Sequence, residues 1–152
     1  MNAGKKIIAT NKKAYHDFFI LDTFECGIVL TGTEIKSVRQ HKISINEAYC
    51  FIEGKELFVG GMHIARYDKG NIYNHEETRK RKLLAHKREI IRLESKVQEQ
   101  GLTIIPLSVY LTEGMAKVEI ALVKGKKLYD KRDDLKRKDA HRAIERNLKN
   151  RY

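Results

Sequence analysis

The chain has 152 residues, which is enough for one compact domain with an apolar core and an appendage. Its net charge is +11, so an anionic partner such as nucleic acid or a membrane surface is indicated. The chain has no Trp, no apolar run of transmembrane length and no apolar stretch after its N-terminus, so we disfavour a membrane partner and expect a cytoplasmic protein.

The N-terminal part predicts a hairpin after a basic, mobile start that extends through Lys13. Residues 15–24 and 27–31 have the composition of two strands, and the turn is expected at Glu25–Gly27. A short helix is then predicted from Glu34 to about His41, with Thr33 as its N-cap.

The middle of the chain predicts a second hairpin and a long helix. The hairpin and its bend comprise strand Glu47–Glu53, turn Gly54–Lys55, strand Glu56–Ile64 and a bend at Gly60–Gly61. A polar loop, Asp68–His75, follows. The long helix is expected from about Thr78 to Gln100, where Leu83, Ile90 and Val97 form one apolar line and Gly101 ends the helix.

A third hairpin is predicted from strands Leu102–Leu111 and Met115–Lys124, which turn at Glu113–Gly114. Pro106 indicates a sheet edge or a bulge because proline cannot donate to a strand ladder. Six short strands in hairpins with few helices predict a mainly β fold, a small closed or nearly closed antiparallel barrel over residues 1–125.

The positive charge is concentrated in two patches. Residues 126–152 form a basic tail of net charge +6 whose only apolar stripe is Ala140, Ile144 and Leu148. With so little to pack, we expect this tail to be disordered when free and helical on a polyanionic surface, although a solvated tail without a role is the alternative.

The second patch, residues 79–92, also has a net charge of +6, and the sequence places it on the first two turns of the long helix. Cations oppose the dipole at a helix N-terminus, so local stability gives no reason for them and we favour contact with RNA phosphates over a solvated face. Tyr67, Tyr73 and Tyr129 are candidates for base stacking.

Enzymatic motifs are mostly missing, so we expect no catalytic site, no metal and no cofactor. Cys26 and Cys50 are isolated and are expected to be reduced. The grouping of His16, Asp17 and Glu25 leaves a small RNA-processing nuclease as an alternative, but strand alternation is expected to send His16 and Asp17 to opposite faces. A general ribosomal protein is a further alternative.

Six blocks of the sequence resemble the small protein B (SmpB) family, the tmRNA-binding proteins of bacterial trans-translation. The resemblance covers nearly the whole chain and is carried by Asn11–Tyr15, Phe24–Ile28, Gly32–Arg39, Gly70–His75, Arg81–Glu89 and Gly125–Arg132. It implies an OB-like barrel whose one face holds the tRNA-like domain of tmRNA, and a tail that becomes helical in the empty mRNA channel of a stalled small ribosomal subunit. The partners are thus tmRNA and the ribosome, and we expect a monomer.

The resemblance also implies site residues. Glu25 and Leu84 match family residues implicated in tmRNA binding, and His86 stands where some members have Asn. With the basic patch, the expected tmRNA contacts are Glu25, Leu84, His86, Arg79, Lys80, Arg81, Lys82, Lys87, Arg88 and Lys124. The expected ribosome contacts in the tail are Lys126, Lys127, Tyr129, Asp130, Lys131, Arg132, Lys136, Arg137 and Lys138.

Overall fold

A computed structural model describes residues 5–67 and 74–126 of the chain. Within those ranges it contains β1 (Lys5–Thr10), α1 (Lys12–Asp17), β2 (Phe18–Ile28), α2 (Gly32–Arg39), β3 (Ile43–Ser44), β4 (Tyr49–Glu53), β5 (Glu56–Gly60), β6 (His63–Ile64), β7 (Arg81–Leu84), α3 (Lys87–Gln100), β8 (Thr103–Thr112) and β9 (Met115–Gly125). The tail from Lys127 and most of the predicted polar loop lie outside the described residues.

The strands confirm the predicted mainly β, antiparallel fold. The main sheet has the order β1-β8-β4-β5-β7-β2-β9, and a further pairing of β8 with β9 closes six of its strands into a ring. β1 pairs with the second half of β8, residues 108–112, while β3 and β6 form a separate two-stranded sheet. Closing the ring pairs strand edges that a flat sheet would leave exposed. The same argument led to the prediction of a closed arrangement.

Two apolar cores lie on opposite faces of the sheet. The main core fills the ring with side chains such as Leu57, Leu83 and Ile120, and Val38 of α2 and Leu93 of α3 pack against it. The smaller core is formed by Ala14, Ile105, Leu107, Ala121 and Val123 between α1 and the β8–β9 pair, so this pair is buried on both faces for part of its length. We call the sheet surface that points away from the main core the outer face.

The N-terminal part differs from the sequence prediction. Residues 5–10 are strand β1, paired with β8, where a mobile start was expected. The side chain of Asn11 accepts the Ala14 backbone N–H at 3.1 Å and caps α1, which occupies the start of the predicted first strand. The predicted hairpin at Glu25–Gly27 is wrong: β2 is continuous through these residues because all three pair with β9.

The predicted short helix is present as α2, but its N-cap is Thr31 and not Thr33. Thr31 and Glu34 form a capping box: the Thr31 N–H donates to Glu34 Oε1 at 2.8 Å and the Glu34 N–H donates to Thr31 Oγ1 at 3.3 Å. The β4–β5 hairpin is confirmed, and its Gly54–Lys55 turn has φ values of 58° and 65°, the left-handed pair that a two-residue turn requires. Gly61, with φ 71°, makes the bend.

The predicted long helix is wrong over its first nine residues, 78–86. α3 begins at Lys87, and residues 81–84 form β7 between β5 and β2. The reason is a buried arginine. Arg81 and Leu83 point inward while Lys82 and Leu84 point outward, which is the two-residue alternation of a strand. The sequence prediction counted Arg81 as a surface residue and therefore missed this alternation. The end of the helix is confirmed, since Gly101 is left-handed at φ 65°.

The β8–β9 hairpin is confirmed, with Glu113 and Gly114 at its turn. Pro106 marks a bulge, because the pairing register with β9 shifts between Pro106 and Ser108. The shift exchanges the two faces: Leu107 packs in the smaller core, whereas Val109 packs in the main core.

Candidate RNA-binding surface

The outer face at the junction of β2, β7 and α3 brings together several of the predicted contacts. Leu84 lies directly opposite Gly27, and its side chain is 52% exposed. A Cβ at Gly27 would stand 3.4 Å from the Cβ of Leu84, so the glycine gives the leucine room to lie across β2. Glu25, two residues before Gly27, is exposed on the same face.

The residues that follow β7 extend this surface. His86 is the N-cap residue of α3 and is exposed, and its backbone N–H donates to Glu89 Oε1 at 3.3 Å. Lys87 and Arg88 occupy the first turn of α3 and are also exposed. The structure therefore places an apolar side chain, an imidazole and two cations within five consecutive residues at one end of the ring.

Glu25 is held by a tyrosine that the sequence prediction missed. The Tyr110 hydroxyl donates to Glu25 Oε2, and the tyrosine is only 2% exposed. Burial, then the hydrogen bond to Glu25, raises the pKa of Tyr110, so the phenol stays protonated and donates. Lys5 Nζ lies over the Tyr110 ring, 4.1 Å from the ring centroid.

This geometry limits what Glu25 can bind. An ionised carboxylate only accepts hydrogen bonds, so it repels phosphate and suits the amino or imino groups of bases and the ribose 2′-hydroxyl. Tyr110, Lys117, Gly27 and Leu84 lie opposite one another in a row across four strands. The only sequence signal for Tyr110 was its place in an alternating strand, which does not indicate a partner 85 residues earlier.

Arg81 was predicted as an RNA contact at the surface, but its side chain lies inside the ring. The side chain is fully buried; its Nε donates to Glu34 Oε2 at 2.6 Å and its Nη1 donates to the Met62 carbonyl at 2.7 Å. Arg79 donates to both oxygens of Glu34, at 2.6 and 2.9 Å. Burial alone would raise the pKa of Glu34, but the hydrogen bonds from Arg79, the Thr31 backbone and Arg81 outweigh it and lower the pKa.

Lys80 and Lys82 remain at the surface, each in an exposed ion pair. Lys80 Nζ lies 2.8 Å from Glu53 Oε1, and Lys82 Nζ lies 2.7 Å from Glu56 Oε2. Pairs of this kind are worth about 0–1 kcal/mol in water, so a phosphate can compete with the carboxylates for both ammonium groups. The predicted single basic patch is thus split into a buried structural part and an exposed part.

Lys124 is distant from the other predicted contacts. It is paired with Phe19 near the end of β9, while Lys117, seven residues earlier, is the β9 residue opposite Gly27. At about 3.3 Å per residue this is roughly 23 Å along the strand. Lys126 lies near Lys124, with Nζ 5.1 Å from the Phe19 ring centroid, so both belong to the end of the domain from which the tail departs.

Two other predicted groups have different outcomes. Tyr67 is near Lys36, whose Nζ is 5.4 Å from its ring centroid, and Asn74 exchanges two hydrogen bonds with the Tyr67 backbone, at 2.9 and 2.6 Å. His16 and Asp17 lie on α1 and hydrogen-bond to each other at 2.9 Å, so the prediction of opposite strand faces is wrong. Tyr73, and Tyr129 with the other predicted tail contacts beyond Lys126, fall outside the described residues.

Among the described residues, no three His, Cys, Asp or Glu side chains are grouped in a way that could hold a metal ion. No helix in the described ranges is long and apolar enough to span a membrane. Cys26 and Cys50 are free and buried.

A small antiparallel ring with a fixed carboxylate, an exposed leucine and adjacent cations on its outer face has the features of an RNA-binding domain that reads shape and base edges. Comparison with known proteins agrees with this class. The family model described as SmpB protein matches residues 8–150, so the chain belongs to the SmpB family.

Similar proteins share nearly the full length of the chain. An SsrA-binding protein of Enterococcus hirae is 54% identical over 145 residues, covering 95% of this chain and 94% of that protein. One of Alkaliphilus oremlandii is 53% identical over 148 residues, covering 97% and 96%. A solved structure described as "tmRNA-SmpB: a journey to the center of the bacterial ribosome" has a TM-score of 0.65 and 46% identity, covering 77% of this chain and 82% of that one.

Proposed function

We propose that this protein binds tmRNA, also called SsrA RNA, and delivers it to stalled ribosomes in trans-translation. The observation that carries the proposal is the exposed surface on which Glu25, Leu84 and His86 come together, in a chain more than half identical to SsrA-binding proteins over nearly its whole length. The helical part of the RNA is recognised by shape and by phosphate contacts from Lys87 and Arg88.

The tail has a separate role in this proposal. Residues 126–152 enter the vacant mRNA channel of the small subunit and report that no message is present, while the ring provides the affinity for tmRNA. The charge of the tail supports this division, because a ribosomal channel lined by phosphates attracts a segment of net charge +6. The site of action is the cytoplasm, where ribosomes translate.

Two leucines allow a matched test of the RNA-binding surface. Leu84 and Leu21 are both 52% exposed on strands of the ring, but only Leu84 lies beside Gly27 and His86. We expect Leu84→Ala to weaken binding of the isolated tRNA-like domain of tmRNA at least tenfold and Leu21→Ala to leave it unchanged, measured by filter retention at moderate salt. If the two variants had equal effects, the RNA-binding site would not lie on this face.

Deleting Lys131 to Tyr152 tests the division of labour. We expect the truncated protein to retain tmRNA with unchanged affinity but to lose tagging of stalled products in a reconstituted translation system. Loss of tmRNA binding on truncation would contradict the proposal.

The nuclease alternative is not supported, since the similar proteins are described as SsrA-binding proteins. Incubating the protein with tmRNA and a divalent cation tests it directly, and we expect the RNA to stay intact. A general ribosomal protein would sediment with all ribosomes, whereas we expect this one only on ribosomes that also carry tmRNA.

A further inference from the structure

Three aromatic side chains lie next to one another on the outer face of β4 and β5. The ring centroids of Tyr49 and Phe51 are 5.8 Å apart, and those of Phe51 and Phe58 are 5.7 Å apart, with interplanar angles of 34° and 25°. Phe51 and Phe58 are directly opposite each other in the strand pair, and Tyr49 is opposite Gly60. We call this group the aromatic platform; Tyr49 is 49% exposed and the two phenylalanines are partly exposed.

Gly60 gives the platform rings the space that they occupy. A Cβ at this position would stand 2.9 Å from Tyr49 Cζ and Oη and 3.3 Å from Phe51 Cε1. Because the glycine has no side chain, the two rings can lie over β5. A partly exposed group of neighbouring rings suits a planar ligand group.

Cations border the platform. Lys80 Nζ is 4.6 Å from the ring centroid of Phe58 and 5.9 Å from that of Phe51, and Lys82 is paired with Phe58 in the β5–β7 register. Glu53 and Glu56 also face this side, but they hold the two lysines only through exposed ion pairs. Aromatic rings beside exposed ammonium groups match a ligand that alternates planar bases with phosphates.

The platform is continuous with the RNA-binding surface. Lys80 precedes β7 by one residue, and Lys82 and Leu84 follow it on the same strand face. Phe58 is level with Lys82, so the nearest platform ring is roughly 7 Å from Leu84 along β7. An RNA held at Leu84 and His86 can therefore pass along β7 onto the rings without leaving the protein surface.

We propose that the aromatic platform binds a single-stranded stretch of RNA by stacking its bases on Tyr49, Phe51 and Phe58, with Lys80 and Lys82 turning from their carboxylates to the phosphates. This inference rests on the proposed function, because it extends the tmRNA surface to unpaired nucleotides next to the helical part. Stacking tolerates any base, so the platform selects single strands and not a sequence.

The experiment uses the full chain and an oligouridine carrying iodouracil. Irradiation is expected to crosslink the oligouridine to the peptide that contains Tyr49, Phe51 and Phe58. Tyr49→Leu and Phe58→Leu keep apolar bulk but remove a ring, and each is expected to weaken oligouridine binding about fivefold or more, since one base–aromatic stack corresponds to roughly 5- to 150-fold. Tyr49→Phe, which keeps the ring, should bind like the original protein.

Tyr15 supplies a control, because it is 50% exposed but lies on α1 and its ring is not one of the three that contact one another in the platform. Tyr15→Leu should leave oligouridine binding unchanged, and thermal melting of all variants checks that they fold. The salt dependence should stay the same in the ring variants, because stacking releases no counterions, whereas Lys80→Gln with Lys82→Gln should reduce it.

The proposal would be overturned if both ring variants bound oligouridine as the original protein does. It would also be overturned if the crosslinks formed only at residues outside the platform. A self-association that Tyr49→Leu abolishes, with no effect on RNA, would assign the face to a second copy of the chain and also overturn it. If the original protein holds tmRNA and Leu84→Ala weakens that binding, these outcomes count against the platform alone; if the original protein holds no tmRNA, it is the proposed function that fails.

Discussion

Replacing Arg81 with methionine removes the centre of the buried ionic cluster formed by Glu34, Arg79 and Arg81. The substitution deletes the 2.6 Å hydrogen bond to Glu34 Oε2 and the 2.7 Å hydrogen bond to the Met62 carbonyl, and it leaves both acceptors buried. Loss of one partner from a buried pair typically costs about 3–5 kcal/mol. We expect a loss near the lower end, because Arg79 still binds both oxygens of Glu34.

The measurement is equilibrium unfolding in urea. With a slope of about 2 kcal/mol per molar, a loss of about 3 kcal/mol lowers the midpoint by about 1.5 M. Lys82→Met is the matched control, since Lys82 is the next residue on β7 but its ion pair with Glu56 is exposed. That variant should lose no more than about 1 kcal/mol.

RNA binding provides a second readout of the same variants. Arg81→Met should leave the salt dependence of tmRNA binding unchanged, measured at a temperature where the protein is folded, because a buried guanidinium releases no counterion. If Arg81→Met were as stable as Lys82→Met, the reasoning from burial would fail. If Arg81→Met lowered the slope of log affinity against log salt by about one, Arg81 would be a phosphate contact and the same reasoning would fail.

Three further predictions concern the Glu34 cluster and the RNA-binding surface. Glu34 has a lowered pKa in the folded state, so its contribution to stability is present above its ordinary pKa of 4.5 and is lost as the pH falls through the lower folded value; Glu34→Gln should flatten acid unfolding curves in that range. Tyr110→Phe frees the carboxylate of Glu25 and should weaken tmRNA binding several-fold without changing its salt dependence, and a changed slope would contradict the assignment of Glu25 to base or ribose donors. Lys87→Gln with Arg88→Gln should reduce the slope by about two, and an unchanged slope would exclude the start of α3 from the interface.

The parts of the fold that were predictable from the sequence are those fixed by local chemistry. The β4–β5 and β8–β9 turns are made by residues that adopt left-handed conformations, Gly54 and Gly114 among them, between runs of strand-forming residues. The end of α3 at Gly101 follows the same logic. Pro106 was also informative, because a missing backbone N–H within a strand leaves a bulge as one of few solutions.

The errors arose where distant residues decide the local structure. Arg81 was assigned to a helix surface because nothing nearby reveals that Glu34, 47 residues earlier, neutralises it inside the ring. Gly27 was taken as a turn residue, but it lies within β2 because it pairs with Lys117 of β9, and its missing side chain leaves room for Leu84. The platform rings were predicted as ordinary strand residues, since their proximity depends on the register of β4 with β5.

β7 is only four residues long, yet its two faces have opposite tasks. One face presents Lys82 and Leu84 to the solvent, and the other carries Arg81, which is bound to Glu34 at the start of α2. The ion pair between Arg81 and Glu34 thus ties this short strand to helix α2. On the proposed function, a load that a bound RNA places on Lys82 or Leu84 would be shared with α2 and not carried by four strand residues alone.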